Sequence, residues 1–183
     1  MSLQAVLPVG FMWHRHSCLC RYNHLVRFHI RDFTLQDFDR LHAIDQECFP
    51  PGIAYSRREL AYYMKLKNAF TIVAEASGPG SEKSAIAGFL VGTRQKGMGH
   101  IVTIDALQTY RRNGLGTLLM QSAEERFQQN GCHAVFLEVA LNNEKAIKFY
   151  KKLKYFVLKT LPRYYQDGTD AFLMAKRFET PSP

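Results

Sequence analysis

The sequence predicts a single α/β (α+β) domain in which a mixed central sheet of about seven strands is flanked by about four helices. Three observations lead to this fold class. The chain has 183 residues, 46% of them hydrophobic and 22% charged, which is ordinary for one globular domain. Short β-branched apolar runs alternate with segments of helical spacing. One such run enters a helical segment through a glycine loop in the stretch YRRNGLGTLL, Tyr110–Leu119.

The first strand and the first helix are predicted at the start of this domain. Val26–Arg31 alternates apolar and polar residues, as a half-buried strand does. Thr34, followed three residues later by Asp37, is typical of a helix start, and helical spacing continues to about Gln46. The side of this helix that should face the core carries Phe38, Leu41, Ile44 and Asp45.

A second helix and three strands follow. The prolines and the glycine of CFPPG end the first helix. Ser56 and Glu59 then form the capping box of a second helix that reaches about Lys67. Apolar runs predict three strands at Ala69–Ala76, Ala85–Thr93 and His100–Leu107. The stretch SGPGSEKS is a solvent-exposed hairpin loop between the first two of them.

The second half of the chain alternates helices and strands and completes the order βααβββαβαββ. The helix after the glycine loop should bury a face made of Leu115, Leu118, Leu119, Ser122 and Phe127. A strand, a helix and two strands then follow at Cys132–Ala140, Asn143–Leu153, Tyr155–Leu161 and Asp170–Ala175. The last two strands are joined across Asp167 and Gly168, a turn-forming pair.

The domain is predicted over residues 26–178, with residues 1–25 as a poorly ordered extension and residues 179–183 as a tail. A chain of this length buries a core without metal or disulfide staples. The extension is dense in potential metal ligands, namely His14, His16, Cys18, Cys20 and His24. Their spacing does not suit a zinc site, so no metal is predicted. The four cysteines do not form the framework of a small secreted domain, which favours reduced thiols and a cytoplasmic protein.

The net charge of +8 narrows the classes of partner. A basic protein suits an anionic ligand, a nucleic acid or an acidic partner. The basic residues are scattered and no nucleic-acid motif is present, so nucleic acid is not expected. No apolar run of about 18 residues occurs, and hence no transmembrane helix is predicted.

The glycine loop has the setting of an anion site. The first amide groups of a helix lack intrahelical partners, and the helix dipole favours negative charge there. Glycines that precede such a helix let a phosphate approach bare backbone. A tight turn that needs glycine for a positive φ is the alternative explanation of Gly114 and Gly116.

Glu138 is the second candidate functional residue. In its strand, Val135, Leu137 and Val139 should face one side and Phe136, Glu138 and Ala140 the other. A carboxylate inside an apolar strand is costly unless it is paired or functional. A structural ion pair is therefore the alternative to a catalytic role.

Four stretches in this order resemble the GNAT acetyltransferases: IDQECFP, YRRNGLG, FLEVALNNEKAIKFYKKL and RYYQDGTDAFLM. The pyrophosphate loop of that family reads Q/R-x-x-G-x-G/A, and Arg111–Gly116 matches it in full in the expected strand–loop–helix setting. The resemblance covers about Val26 to Lys176. Within the family the chain is most similar to N-terminal protein acetyltransferases, in particular the bacterial ribosomal-protein alanine acetyltransferase.

The resemblance implies acetyl-CoA as co-substrate and assigns residues to it. The glycine-loop amides would hold the pyrophosphate, the strand before the loop would pair with the pantetheine arm, and Asn143 would hydrogen-bond that arm. The implied cofactor-binding residues are Ile104, Asp105, Ala106, Arg111, Arg112, Asn113, Gly114, Leu115, Gly116, Thr117 and Asn143. Solvation is the alternative role of the two arginines, and helix capping is a compatible role of Asn143.

The resemblance also implies direct acetyl transfer. Glu138 would be the general base for the acceptor amine, and Tyr150 would protonate the departing CoA thiolate; a plain core tyrosine is the alternative for Tyr150. The implied acceptor-binding residues are Phe49, Pro50, Tyr55, Tyr164 and Tyr165, for which hydrophobic packing is the alternative.

The expected function is acetylation of the N-terminal α-amino group of a protein by a monomer or weak homodimer. A small-molecule amine or a lysine side chain is the alternative acceptor, and a non-catalytic acyl-CoA-binding or basic nucleic-acid-binding module is the alternative of another class. Lys154 stands where the family usually has glycine, and Gln108 where it usually has proline. The backbone conformation of the turn at Lys154 is therefore expected to differ from that of the family.

Overall fold

A computed structural model describes residues 26–78 and 84–179 of the chain. Its elements follow the predicted order, so the predicted fold class is confirmed. The strands are β1 (Arg27–Asp32), β2 (Ala69–Ser77), β3 (Ala85–Gln95), β4 (Met98–Ala106), β5 (Ala134–Ala140), β6 (Phe156–Leu161) and β7 (Ala171–Arg177). The helices are α1 (Phe38–Cys48), α2 (Arg57–Met64), α3 (Leu115–Gln129) and α4 (Glu144–Lys152).

Some of the sequence-based predictions concern residues outside these ranges. The His/Cys-rich segment 1–25, the tip of the SGPGSEKS loop at 79–83 and residues 180–183 lie outside the described part of the chain. The proposed domain limits therefore stay a prediction.

The seven strands form one sheet in the order β1-β2-β3-β4-β5-β7-β6. Every neighbouring pair is antiparallel except β4 and β5, which are parallel. The β3–β4 register jumps from Val91 opposite Thr103 to Gly92 opposite Ile101, so Val102 is the extra residue of a bulge. Bulges bend a strand and increase its twist. This bulge therefore turns the second half of β4 away from the line of the first half.

Two apolar clusters hold the helices on opposite faces of the sheet. One cluster joins α3 and α4 to the sheet through side chains that include Leu119, Phe127, Leu137 and Tyr150. The other joins α1 and α2 to the opposite face through side chains that include Leu41, Ile44, Leu60 and Phe89. Both helical layers bury apolar faces against β2, β3 and β4.

Local sequence signals agree with most element boundaries. The Ser56–Glu59 capping box is present, and α2 ends at Met64 rather than near Lys67. A short 3-10 turn, Leu35–Asp37, precedes α1 and carries the Thr34–Asp37 capping box.

One predicted helix face needs correction. Helix α3 buries Met120 and Ala123, whereas Leu118 and Ser122 are only half-buried. The face is rotated because α3 packs over β2, β3 and β4 together, which recruits residues on both sides of Leu119.

Candidate active site

The candidate site lies where β4 and β5 separate. Their parallel pairing runs from Met98 opposite Ala134 to Ile101 opposite Leu137 and ends there, although both strands continue. Beyond that point the facing edges of the two strands are no longer paired with each other. An unpaired stretch of strand edge inside a sheet is a place where an extended ligand can add its own backbone hydrogen bonds.

Glu138 is the first residue of β5 beyond the paired stretch, and its carboxylate meets a histidine of β4. Glu138 Oε2 lies 2.7 Å from His100 Nε2, with 14% and 25% of the two side chains exposed. The His100 ring stacks on Phe136 at a centroid distance of 4.4 Å and an interplanar angle of 9°. Val135, Leu137 and Val139 pack into the α3 and α4 cluster, so Phe136 and Glu138 face the other side, as the alternation predicts.

Three of the predicted acceptor-binding tyrosines lie near enough to Glu138 for its charge to affect their pKa values. Burial is the main cause that raises the pKa of Tyr55, Tyr164 and Tyr165, the last to about 12, and the negative charge of Glu138 raises each further. Tyr55 comes from the α1–α2 connection, whereas Tyr164 and Tyr165 come from the β6–β7 connection. Two distant segments therefore bring neutral phenols around one carboxylate.

The α1–α2 connection, residues 49–56, is called here the acceptor loop. Its Gly52 has φ +89°, and a Cβ built there would lie 3.7 Å from the Cβ of Asp167 in the β6–β7 connection. The two connections thus approach each other above the gap. Phe49 is half-buried and Pro50 exposed at the start of the loop, and the Pro50 carbonyl accepts the amides of Ile53 and Ala54.

Tyr55 ties the acceptor loop to both neighbouring elements. Its amide donates to Asp45 Oδ2 at 2.9 Å, and its carbonyl accepts from Gln46 Nε2 at 2.8 Å. Its hydroxyl donates to the carbonyl of Val102 at 3.3 Å, at the bulge of β4. The loop is therefore anchored to α1 by its backbone and to β4 by a side chain.

Tyr150 lies on the face of the sheet opposite Glu138. It is 7% exposed and belongs to the cluster under α3 and α4. Burial, with contributions from Tyr165 and Asp105, raises the pKa of Tyr150 and keeps its hydroxyl protonated. Tyr165 raises the pKa of Tyr150, and Glu138 raises the pKa of Tyr165, so the charges of the two faces act on each other through Tyr165.

The glycine loop, Arg111–Gly116, leads into α3. Gly114 is the N-cap of α3 with φ +85°, and a Cβ built on it would meet nothing within 4 Å. Within the described residues, none of the backbone amides of residues 112–117 donates to a protein acceptor. These free donors at the start of a 15-residue helix form the anion-binding arrangement that the sequence predicts.

The two candidate loop glycines are constrained in different ways. Gly116 has a negative φ, but a Cβ built there would approach the Phe149 ring of α4 at 3.2 Å. Leu115 is buried, and Thr117 is half-buried in the first turn of α3. Close packing between α3 and α4 therefore explains Gly116, whereas backbone conformation explains Gly114.

Polar residues of the loop make local contacts. Arg111 Nε donates to the Ala106 carbonyl at 2.7 Å, which joins the loop to the end of β4. Asn113 Nδ2 donates weakly to the carbonyls of Tyr110 and Arg111, and Arg112 is exposed with φ +65°. A non-glycine residue with positive φ is uncommon and marks strain in the loop.

Asn143 and the end of β4 complete the predicted cofactor-binding set. Asn143 Oδ1 accepts the Ala146 amide at 3.1 Å and caps α4, the compatible role named above. Ile104 and Ala106 are half-buried on β4, beyond the paired stretch. The Asp105 side chain between them is fully buried.

His100 is the functional candidate that the sequence argument missed. The reasoning applied to Glu138, a polar side chain inside an apolar strand, applies equally to His100 in HIVTIDAL. The spacing along the chain could not reveal that the two are partners, because their contact depends on β4 pairing in parallel with β5.

Neither a metal site nor a membrane-spanning helix is found in the described part of the chain. Among residues 26–78 and 84–179, no group of three or more His, Cys, Asp or Glu side chains is arranged to hold a metal ion. No helix in the same ranges is long and apolar enough to cross a membrane.

Comparison with known proteins identifies the family. The family model described as Acetyltransferase (GNAT) family matches residues 38–155. An uncharacterised N-acetyltransferase of Methanocaldococcus jannaschii is 34% identical over 149 residues, which cover 81% of this chain and 90% of that protein. An N-alpha-acetyltransferase of Sulfurisphaera tokodaii is 32% identical over 161 residues, covering 81% and 92%.

Solved structures share the fold. The ribosomal-protein alanine N-acetyltransferase of Escherichia coli superposes with a TM-score of 0.71 at 21% identity, covering 85% of this chain and 97% of that one. Arabidopsis thaliana NAA60 in complex with acetyl-CoA superposes with a TM-score of 0.73 at 18% identity, covering 83% and 99%. The family match, the two relatives and the shared fold together confirm the resemblance, and the chain belongs to the GNAT acetyltransferase family.

Proposed function

We propose that this acetyltransferase transfers the acetyl group of acetyl-CoA directly to the N-terminal α-amino group of a protein. The observation that carries the proposal is the carboxylate of Glu138 at the gap between β4 and β5, which is hydrogen-bonded to His100 and whose charge raises the pKa of Tyr55, Tyr164 and Tyr165. The N-alpha-acetyltransferase name of the S. tokodaii relative supports this choice of acceptor. The acetyl-CoA complex of A. thaliana NAA60 supports the co-substrate.

In this proposal acetyl-CoA lies along the unpaired edge of β4, with its pyrophosphate on the glycine-loop amides. Those amides carry no protein acceptor within the described residues, and they point from a helix N-terminus whose dipole favours anions. Arg111 acts mainly by joining the loop to β4, because its Nε donates to the Ala106 carbonyl. Arg112 is exposed and free to approach a phosphate.

The chemistry is a single acyl transfer. Glu138, with His100 as its hydrogen-bonded partner, takes a proton from the acceptor ammonium directly or through water. The neutral amine nitrogen then attacks the thioester carbonyl carbon, and the carbon–sulfur bond breaks as the tetrahedral intermediate collapses. Glu138 passes the first proton to solvent and then accepts the second proton of the nitrogen. One of these two protons is thus released, and the other replaces, through solvent, the proton that Tyr150 gives to the thiolate. The Tyr150 hydroxyl, which burial keeps protonated, gives its proton to the departing thiolate.

The shape of the acceptor side favours a chain end over an internal side chain. A Cβ built on Gly52 of the acceptor loop would lie 3.7 Å from the Cβ of Asp167, so the acceptor loop and the β6–β7 connection are neighbours, and both carry tyrosines. An α-amine also has an unperturbed pKa of about 8, compared with about 10.4 for lysine, so less free energy is needed to deprotonate it.

Peptides that differ only in the α-amine test this function. One peptide has a free α-amine and no lysine, and its control carries a blocked α-amine and one internal lysine. We expect acetylation of the first and not of the second, located by mass spectrometry. Acetylation of the lysine peptide alone would contradict the proposal. If only small amines were acetylated, the assignment to the GNAT family would stand, but the acceptor would be a small-molecule amine and not a protein N-terminus.

A further inference from the structure

Part of the sheet face that carries Glu138 is not covered by a helix of the described chain. The apolar cluster under α1 and α2 takes side chains from β2, β3 and β4 and none from β5, β6 or β7. On β3 this cluster ends at Val91, and on β4 it includes Val102 but not His100. The face that continues from His100 and Phe136 toward the β3–β4 hairpin is therefore left open by the helices.

A cavity of about 290 Å³ lies on this open part of the face. Strand register brings its lining residues together, because directly opposite residues of neighbouring strands point to the same face. The opposite pairs are Thr93–His100 and Gln95–Met98 between β3 and β4, and His100–Phe136 between β4 and β5. The cavity, called here the hairpin groove, is lined by Thr93, Gln95, Lys96, Met98, His100 and Phe136.

The hairpin groove is continuous with the proposed acceptor site through His100. The His100 ring stacks on Phe136, a wall of the groove, and its Nε2 lies 2.7 Å from Glu138 Oε2. Tyr55 of the acceptor loop donates to the carbonyl of Val102, which lies two residues beyond His100 on β4. The groove therefore starts beside the candidate base and leads away from the acceptor loop toward the hairpin.

The length of the open face suits a short stretch of extended peptide. Glu138 and Ala134 are four residues apart on β5, which is about 13 Å at roughly 3.3 Å per residue. Ala134 is opposite Met98, the first residue of β4 after the hairpin turn. An extended chain whose first amine lies at Glu138 therefore reaches the hairpin with its fourth or fifth residue.

Basic side chains stand at the hairpin end of the groove. Lys96 lines the groove at the β3–β4 turn, and Arg177 of β7 shares its face because it is opposite Ala134. Both are exposed, and neither forms an ion pair with another described residue. Met98 and Phe136, nearer the acceptor site, are apolar and half-buried. The groove thus has apolar walls near the candidate base and positive charge at its end.

We propose that the hairpin groove binds residues two to five of the acceptor and favours an acidic side chain at position four or five. The first residue lies at Glu138, and the next residues cross His100 and Phe136, where an apolar side chain is buried. An acidic side chain then meets Lys96 and Arg177. This inference rests on the proposed function, because it takes a protein N-terminus as the acceptor. It adds a source of acceptor specificity outside the two connections beside Glu138.

Acceptors of two lengths test the groove. A three-residue peptide ends before the hairpin, whereas a seven-residue peptide with the same first three residues spans the groove and carries glutamate at positions four and five. A second seven-residue peptide has glutamine there, and all three lack lysine and end in an amide. We expect the KM of the glutamate peptide to be about tenfold below that of the three-residue peptide, with kcat little changed. Equal KM values at the two lengths would overturn the proposal.

Lys96→Gln and Arg94→Gln locate the effect of charge. Arg94 belongs to the same hairpin but lies on the other face, because it is opposite Gly99, where a Cβ would meet the Phe127 ring of α3. We expect Lys96→Gln to raise the KM of the glutamate peptide about threefold to fivefold, the size of a surface charge pair. The glutamine and three-residue peptides should be unaffected, and Arg94→Gln should change none of the three. An equal rise for the glutamate and glutamine peptides would overturn the acidic preference.

Calorimetry supplies a readout that needs no acetyl transfer. The glutamate peptide, with its α-amine already acetylated, is titrated into the protein in the presence of CoA. We expect weaker binding to Lys96→Glu than to Arg94→Glu, and a smaller difference at high salt. Equal binding to the two variants, or no binding to the unsubstituted protein, would overturn the proposal.

Failure of the groove and failure of the proposed function give different results. If the three-residue peptide is acetylated as well as the seven-residue peptides, the proposed function stands and the groove has no role. If no peptide of either length is acetylated, the proposed function fails, and the titration of Lys96→Glu against Arg94→Glu still decides whether the groove binds an acidic peptide.

Discussion

At the β1 edge of the sheet, Asp37 accepts hydrogen bonds at both carboxylate oxygens, whereas at the centre Asp45 and Asp105 each bury one oxygen that has no donor among residues 26–78 and 84–179. Arg31 donates to Asp37 Oδ2 at 2.7 Å and to Oδ1 at 2.8 Å, and it also binds Glu75 at 2.8 Å. The Arg31 guanidinium lowers the pKa of Asp37 to about 2. Burial raises the pKa of both central aspartates.

The difference shows two uses of buried acidic groups in one domain. At the edge, an arginine and a capping turn surround the carboxylate, so the ionised form stabilises the fold. At the centre, the parallel strands separate, and carboxyl groups are left near apolar side chains and phenols. We therefore expect substitutions at the edge to change stability and substitutions at the gap to change rate.

Glu138→Gln should have the largest effect on rate. It keeps the shape of the side chain but removes the base, so we expect kcat to fall by roughly 10²–10⁴-fold with acetyl-CoA affinity retained. Glu125→Gln, at an exposed position of α3, is the matched control and should have no effect. Steady-state kinetics with a good peptide substrate measures both. If Glu138→Gln kept the kcat of the unsubstituted protein, Glu138 would not be the base, and its role would be a structural pairing with His100.

Asp37→Asn should have the largest effect on stability and leave kcat unchanged. The lowered pKa corresponds to about 2 kcal/mol of unfolding free energy at neutral pH. This contribution is present above the unfolded pKa of about 3.9 and is lost as the pH falls through the folded pKa of about 2. Urea unfolding should therefore show that the difference in unfolding free energy between the unsubstituted protein and Asp37→Asn is smaller at pH 2–3 than at pH 7.

The matched control for the edge is Asp39→Asn. Asp39 pairs with Arg57 at the surface, where 78% of its side chain is exposed. Surface pairs of this kind contribute about 0–1 kcal/mol. An Asp39→Asn variant as unstable as Asp37→Asn would show that burial is not what separates the two sites.

Gly114→Val should weaken acetyl-CoA binding more than tenfold, which is about 1.4 kcal/mol. A side chain there occupies the space that a phosphate would approach and forces valine to a φ of +85°. Gly131→Val is the control, since Gly131 also has a positive φ and open space but lies at the far end of α3. Calorimetry should show lost affinity only at Gly114. Equal losses at both positions would indicate backbone strain alone.

Lys154→Gly should slightly increase the free energy of unfolding, whereas Asp37→Asn decreases it. Lys154 has φ +71°, so the turn after α4 keeps the left-handed conformation that the family's usual glycine would adopt. Glycine removes a strain of about 1 kcal/mol or more but gains entropy in the unfolded chain, which leaves a net stabilisation of a few tenths of a kcal/mol. Lys148→Gly, at an exposed position in the middle of α4, should instead destabilise by about 1 kcal/mol. Thermal unfolding distinguishes the two signs, and a destabilised Lys154→Gly would contradict this explanation.

The sequence by itself determined the order and type of the elements. Local signals carry this information: the Ser56–Glu59 capping box, the alternation around Glu138 and the glycines before α3 each act within a few residues. The glycine loop was predictable for the same reason, since a strand, a left-handed glycine and a helix start are adjacent in the chain.

The tertiary structure alone decided which groups meet. His100 and Glu138 are 38 positions apart in the chain, and they touch because β4 and β5 pair in parallel as far as Ile101 and Leu137. Asp45 lies on α1 and Asp105 on β4, and the apolar faces of these two elements pack together. The helical spacing around Asp45 and the alternation around Asp105 do not show that the two carboxyls lie in the same layer. Sequence periodicity specifies the face on which a side chain lies, but register, bulges and helix packing specify what lies opposite it. The candidate base and acid therefore follow from local pattern and family resemblance, and their common gap follows from the packing of the whole sheet.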